Sequence, residues 1–156
     1  MSWLVIRVRS DRTVEHSIRE TMSYLNLSRV NHAVIVPERE TYAGMLQKTK
    51  DYVTWGEVDA ETVATLIRER GQLVGGAPVT DADVKAETDF KNIDAYAAAL
   101  ASGDATMKDM ASLKKVFRLH PPRGAKGWGG IKRHFTVGGA LGFRGDAILE
   151  LVPRMI

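Results

Sequence analysis

Three short apolar runs mark the first third of the chain. Residues 3–8, 33–36 and 51–56 are rich in Val, Ile and aromatic side chains. Polar residues follow the first run, Pro37 ends the second, and the third ends on a glycine. Short runs of β-branched residues between such breaks are typical of buried strands. The pattern therefore predicts three strands.

Helical spacing fills the gaps between these runs. Val14, Ile18, Met22 and Leu25 recur every three or four residues, and a second amphipathic stretch covers residues 40–50. Apolar residues at this spacing lie on one face of a helix. The first third is therefore predicted to be a β-α-β-α-β unit, with its helices on one face of a small sheet.

The middle of the chain is predicted to be helical. Asp59 and Gly71 have the residue types that begin and end a helix. Thr80 and Asp83 have the spacing of a capping box, and Gly103 ends a further apolar helix. A strand is predicted at 116–119 and a terminal helix at 146–152. Between them, the stretch from Arg123 to Gly145 contains eight glycines and is interpreted as a loop.

The charge divides along the same boundaries. Residues 1–56 carry 8 basic and 6 acidic side chains, residues 57–104 carry 4 and 10, and residues 105–156 carry 10 and 3. The bland net charge of +3 thus hides a strongly basic last third. We expect three parts: a core over 1–57, an acidic helical insertion over 58–104 and a basic, Gly-rich extension over 105–156. Such asymmetry favours a polyanion as partner.

Several function classes find no support in the residues. The chain has no cysteine, no phosphate-binding glycine motif and no histidine pair at metal-ligand spacing. No apolar run approaches the roughly 20 residues that span a membrane. We therefore expect no catalytic residue, no metal site, no cofactor, no small-molecule substrate and no membrane association. Gly139-Ala140-Leu141-Gly142 matches a nucleotide-clamping GXXG pattern, but a glycine-rich turn is the preferred interpretation.

The segment from Arg118 to Phe135 holds the strongest indication of function. It mixes cations with Trp, Phe and His in a glycine-rich backbone. Cations neutralise phosphates and aromatic rings stack on bases, so the mixture favours nucleic-acid binding. The alternative is a solvated loop with Trp128 packed into the core. The candidates in this segment are Arg118, His120, Arg123, Lys126, Trp128, Lys132, Arg133, His134 and Phe135, and Arg144 of the same basic third is added to them.

Local strings in a fixed order resemble a known family. They are Arg29-Val30-Asn31-His32, Val36-Pro37-Glu38, residues 52–57 (Tyr-Val-Thr-Trp-Gly-Glu), residues 118–124 (Arg-Leu-His-Pro-Pro-Arg-Gly) and residues 138–142 (Gly-Gly-Ala-Leu-Gly). Together they resemble the large-subunit ribosomal protein L-thirty family in its archaeal form, a relative of eukaryotic L-seven. The resemblance covers essentially the whole chain.

The resemblance implies an α+β fold and a structural role. The implied fold is a small antiparallel three-stranded sheet with two helices, somewhat ferredoxin-like, plus the extension. The implied protein is a non-catalytic component of the large subunit in cytoplasmic ribosomes, which binds large-subunit rRNA near 5S rRNA and meets neighbouring ribosomal proteins. Carried over by position, the implied RNA contacts are Arg29, Asn31, His32, Arg39, Gly44, Met45, Arg118, His120 and Arg123.

Two other functional hypotheses remain open at this point. The chain could be a free RNA-binding protein or RNA chaperone, or a small ferredoxin-like enzyme.

RNA would repel the acidic middle at short range, so we expect residues 57–104 to face solvent or a neighbouring protein.

Overall fold

The computed structural model describes residues 2–10, 12, 14–124 and 127–156. In chain order the elements are β1 (Ser2–Arg7), α1 (His16–Tyr24), β2 (His32–Pro37), α2 (Glu40–Thr49), β3 (Val53–Glu57), α3 (Ala60–Arg70), α4 (Asp81–Glu87), α5 (Ile93–Ser102), β4 (Phe117–Arg118), β5 (Gly130–His134), β6 (Gly139–Phe143) and α6 (Ile148–Met155). Single 3₁₀ turns lie at 107–109, 135–137 and 145–147.

The centre of the sheet is the predicted antiparallel three-stranded unit. Strand β1 lies between β2 and β3, with Leu4 opposite Ile35 and Val5 opposite Trp55. The full sheet has six strands in the order β4-β2-β1-β3-β6-β5. The α+β fold is thus confirmed. The last third of the chain adds β4, within the strand predicted at 116–119, to one edge of the sheet, and β6 and β5, which the sequence did not predict, to the other.

Both faces of this sheet are covered by helices. Leu4 and Ile6 are buried in one core cluster with apolar residues of α3, α5 and α6. Val5 and Trp55 point the other way, into a second cluster with residues of α1 and α2. Successive side chains of a strand face opposite sides, so a strand apolar at every position needs a layer on each face. Residues 58–104, together with α6, supply the second layer.

The helix ends follow the capping residues in the sequence. The Asp59 carboxylate accepts a hydrogen bond from the Thr62 N–H at 2.8 Å, at the start of α3. Thr80 and Asp83 form the predicted capping box of α4. Gly103 ends α5 with a φ of 90°, a left-handed conformation that glycine adopts without strain.

The glycine-rich stretch between Arg123 and Gly145 corrects the expectation of a loop. It contains strands β5 and β6, which pair with each other in parallel, and β6 also pairs in parallel with β3. The GXXG string forms β6 itself rather than a turn. The Thr54 hydroxyl donates to the Gly142 carbonyl at 2.8 Å, which ties β6 to the central sheet. Close packing explains two of the glycines, since a Cβ on Gly139 would collide with the Arg133 backbone and one on Gly142 with the His134 ring.

Candidate nucleic-acid interface

Predicted RNA contacts from separate parts of the sequence meet at one end of the sheet. Strand β1 ends at Arg7, and the antiparallel β2 begins there at His32. Strand β4 pairs with β2 so that Arg118 lies opposite His32. We call the group of Arg7, Arg9, Arg29, Asn31, His32, Arg118 and Trp128 the basic end of the sheet. Pairing that is remote in sequence creates this group.

Asn31 connects the strands at the basic end. Its N–H donates to the Arg7 carbonyl at 2.8 Å, and its own carbonyl accepts from the Leu119 N–H at 3.2 Å. The Trp128 indole N–H donates to the Asn31 Oδ1 at 3.2 Å. Asn31 has a φ of 68°, a left-handed conformation in which asparagine is favoured over most residues. Asparagine at position 31 therefore allows both the left-handed turn and the hydrogen bond to Trp128 that this end of the sheet requires.

Trp128 is half-buried. Its position agrees in part with each of the two interpretations of the sequence, a ring packed into the core and a ring beside the cations. The indole packs against Val8, Ala140 and Leu141. Its N–H is occupied by Asn31, so the ring is held in place by packing and by one hydrogen bond. The ring is a fixed part of the basic end and not an appendage of a solvated loop.

Two arginines that the sequence analysis did not select lie at this end. Arg7 is only 2% exposed, and its guanidinium donates to the Leu27 carbonyl at 2.8 Å and to the Arg9 carbonyl at 2.9 Å. Arg9 lies over the Tyr52 ring, with 5.3 Å between Cζ and the ring centroid. An arginine inside an apolar strand, with a second one two residues later, is the pattern that could have revealed them.

His32 experiences the positive field of this end. Burial lowers the pKa of its imidazole below the ordinary value, and the charges of Arg118, Arg29 and Arg7 lower it further. Its Nδ1 atom is buried, and no hydrogen-bond partner for it exists among the described residues. The imidazole is therefore neutral near pH 7, beside the guanidinium groups of Arg118, Arg29 and Arg7.

Helix α6 holds the segment that follows β4. The His120 N–H donates to the Met155 carbonyl at 2.8 Å, and the Arg123 N–H donates to the Arg154 carbonyl at 2.9 Å. The Arg154 guanidinium returns two bonds, to the carbonyls of Arg123 at 2.7 Å and Gly127 at 2.9 Å. The side chains of Arg118, His120 and Arg123 stay exposed. Lys126, also a predicted contact, lies outside the described residues.

The remaining candidates of the last third divide into two groups. Lys132 and Arg133 are exposed on β5, which is the edge strand opposite β4. Charged side chains on an edge strand also prevent unwanted pairing, so their exposure has a structural explanation as well. His134 and Phe135 make contacts within the fold: the His134 Nδ1 lies 3.0 Å from the Thr136 Oγ1, and the Arg144 guanidinium lies over the Phe135 ring.

The Arg144 guanidinium makes its contacts within the protein. Its guanidinium donates to the Thr54 hydroxyl and to the Ala140 carbonyl, both at 2.8 Å. It also lies over the Phe135 ring at 4.9 Å. Burial, with a smaller effect of the Arg154 charge, lowers the pKa of Arg144 to about 10. The structure thus gives Arg144 a role in joining β6 to β3.

The candidates around α2 lie elsewhere. Strand β2 runs away from the basic end to Pro37, and Arg39 occupies the N-cap position of α2. Gly44 is exposed, with open space around the position of a Cβ. Met45 is half-buried against the core under α1 and α2. The structure therefore does not bring these three to the residues of the basic end.

Within the described ranges, no three histidine or carboxylate side chains are grouped to hold a metal ion. None of the described helices has the length and apolar composition needed to cross a membrane.

Comparison with known proteins adds the decisive observation. A family model described as ribosomal protein L30p/L7e matches residues 3–53. The large ribosomal subunit protein uL30 of Methanopyrus kandleri is 50% identical over 143 residues, covering 92% of this chain and 96% of the relative. Those of Methanosphaera stadtmanae and Methanoculleus marisnigri are each 46% identical, and the alignments cover 98–99% of this chain and 99% of each relative.

The chain belongs to the uL30 family.

Membership confirms the family resemblance found in the sequence. The match of the family model covers β1 to the start of β3. The archaeal uL30 relatives extend over the whole fold, including α3 to α6. The alignments with the archaeal uL30 proteins therefore include the C-terminal strands and the acidic helices of this chain.

Proposed function

We propose that this uL30-family chain is a structural constituent of the large ribosomal subunit that binds large-subunit rRNA, near 5S rRNA, through the basic end of the sheet. Its place of action is the cytoplasmic ribosome, and its partners are rRNA and neighbouring subunit proteins. It acts by binding and holding, without catalysis or a cofactor. The convergence of Arg29, His32 and Arg118 carries the proposal.

Physical chemistry supports this assignment of the RNA face. Each cation that meets a phosphate releases counterions, which favours binding at low salt. A half-buried Trp128 offers part of an aromatic surface beside these cations. The hydrogen bonds of Asn31 and Arg154 hold the surrounding backbone in place before RNA arrives. Such preorganisation reduces the entropy lost on binding.

Sucrose-gradient fractionation tests the proposal directly. We expect the protein to sediment with large subunits in growing cells and to remain there in moderate salt. The isolated protein should bind a large-subunit rRNA fragment together with 5S rRNA more tightly than an unrelated RNA of equal length. A protein that stays at the top of the gradient would instead be a free RNA-binding protein.

His32 predicts a pH dependence of RNA binding. A phosphate at the basic end would favour the charged imidazole, so RNA should raise the pKa of His32, which is lowered in the free protein. Binding is then coupled to proton uptake, and affinity should rise as the pH falls below about 6.5. NMR titration of the His32 imidazole with and without RNA measures both pKa values.

A substitution isolates the contribution of this histidine. His32→Gln should remove part of the pH dependence, whereas His16→Gln, on the exposed surface of α1, should preserve it. An unchanged pKa of His32 in saturating RNA would exclude phosphate contact near this group.

A further inference from the structure

An open pocket of about 290 Å³ lies at the sheet end opposite the basic end. Trp3, near the start of β1, pairs with Glu57, the last residue of β3, and this register sets the location. Trp55 and Phe143 complete an aromatic lining, Glu38 lies at the rim, and α2 closes one side. The volume is just below the usual range of ligand pockets, roughly 300–1,000 Å³. It suits one long side chain.

The strand period explains why three aromatic rings share this pocket. Trp3 and Trp55 lie on the sheet face that packs under α1 and α2. Phe143 is the register partner of Trp55, and the two ring centroids are 6.2 Å apart with a tilt of 47°. Phe143 is nevertheless 43% exposed. Part of the aromatic lining is thus open to an incoming group.

Two carboxylates accompany the rings. Glu57 lies directly across from Trp3 in the β1–β3 pair. Glu38 follows Pro37, which pairs with Ser2 at the start of β1. Within the described part of the chain, neither carboxylate has a hydrogen bond or an ion pair. The pocket therefore presents uncompensated negative charge beside the negative faces of aromatic rings.

We propose that this pocket binds the guanidinium group of an arginine in an extended basic segment of a neighbouring protein. Aromatic faces attract cations, most strongly where water is partly excluded. Guanidinium is planar, stacks on rings and pairs with carboxylates through a fixed set of donors, which an ammonium group does not match. Nucleic acid is disfavoured because its phosphates would approach Glu38 and Glu57.

This assignment goes beyond rRNA binding, because it gives the chain a second contact surface of opposite charge. The basic end and the pocket lie at the two ends of the same strands. One protein could therefore hold rRNA at one end and the basic segment of a neighbour at the other.

The indole N–H signals of the full-length protein provide the test. The chain has three tryptophans, of which Trp3 and Trp55 line the pocket and Trp128 lies at the basic end. The probe is Nα-acetyl-arginine N-methylamide, and the control is the matching citrulline compound, which has nearly the same shape without the charge. We expect saturable shifts at Trp3 and Trp55 with arginine, and no shift at Trp128.

Charge variants sharpen the result. The double variant Glu38→Gln with Glu57→Gln should weaken arginine binding at least about tenfold, as expected for the loss of close opposite charges. Glu61→Gln with Glu69→Gln, two exposed positions on α3, removes the same charge elsewhere and should leave binding unchanged.

Three outcomes would overturn the proposal. They are the absence of a saturable shift with arginine, equal shifts with citrulline, and stronger shifts of Trp3 and Trp55 with adenosine monophosphate, which would indicate a nucleotide pocket. The isolated protein suffices for these titrations, so their failure would leave the proposed rRNA binding untouched.

Photo-crosslinking identifies the partner in assembled large subunits. Phe143→p-benzoylphenylalanine places a reactive group at the exposed rim of the pocket. We expect a crosslink to an arginine-containing segment of a subunit protein. A crosslink to rRNA would contradict the proposal.

Discussion

The double substitution Arg29→Gln with Arg118→Gln is expected to weaken rRNA binding on the order of 100-fold near physiological salt. Both side chains are exposed at the basic end, and both contribute to the field that lowers the pKa of His32. Each arginine that meets a phosphate adds about one unit to the slope of log affinity against log salt. The slope should therefore decrease by about two, as measured by filter binding or fluorescence anisotropy over a series of salt concentrations.

A matched pair of lysines provides the control. Lys85→Gln with Lys91→Gln lowers the net charge by the same amount, at exposed positions in the acidic helical part. We expect affinity and slope to change little. Equal losses in the two double variants would show that overall charge, and not the basic end, determines RNA binding.

The substitution Gly56→Ala is expected to destabilise the fold by about 3 kcal/mol. Gly56 is buried in β3, where a Cβ would lie 2.8 Å from the Ile148 Cβ and closer still to the Gly145 carbonyl oxygen. The obstacle includes backbone, which has little freedom to move. Urea unfolding of the purified protein measures the change in the free energy of unfolding.

Gly44→Ala is the control for that experiment. Gly44 is exposed in α2, and a Cβ there would meet nothing within 4 Å. Alanine in a helix interior is more stable than glycine by roughly 0.5–1 kcal/mol, so this variant should be more stable than the native protein. A loss of RNA affinity without a loss of stability would identify Gly44 as a backbone contact. Equal stabilities of Gly56→Ala and the native protein would contradict the packing around β3.

Local patterns predicted those elements whose formation depends on nearby residues. The capping residues Asp59 and Thr80 give helix starts within the sequence itself, and Gly103 gives a helix end. Strands β1 and β2 are continuous apolar runs, which the sequence shows directly. For the first third, however, the sequence predicted helices on one face of the sheet only, because the helices α3 and α5 that cover the other face follow much later in the chain.

Strands β5 and β6 could not be predicted in the same way. Strand β5 exposes Ile131, Lys132 and Arg133 in succession, so it has no alternation of apolar and polar positions. Strand β6 is Gly-Ala-Leu-Gly-Phe, and glycine carries no side chain from which a period could be read. These strands are defined by their pairing with each other and with β3, and this pairing depends on the tertiary structure.

The candidate interface shows the same limit. Residue type and charge selected Arg29, His32, Arg118 and Trp128, but only the pairing of β2 with β4 places them together. The same reasoning also selected Arg144 by its charge, but its hydrogen bonds to Thr54 and Ala140 could not be predicted from the composition. Whether Arg39 and its neighbours on α2 contact RNA remains a prediction of the resemblance.

The hydrogen bonds between α6 and the segment that follows β4 affect the order of events during synthesis. Strand β1 is made early, but the bonds from Met155 and Arg154 to His120, Arg123 and Gly127 form only after residues 148–155 have been added. A nascent or truncated chain without α6 would present its cations on an unfixed backbone. If RNA binds at the basic end as proposed, entry into a growing subunit would favour chains that have been synthesised through α6.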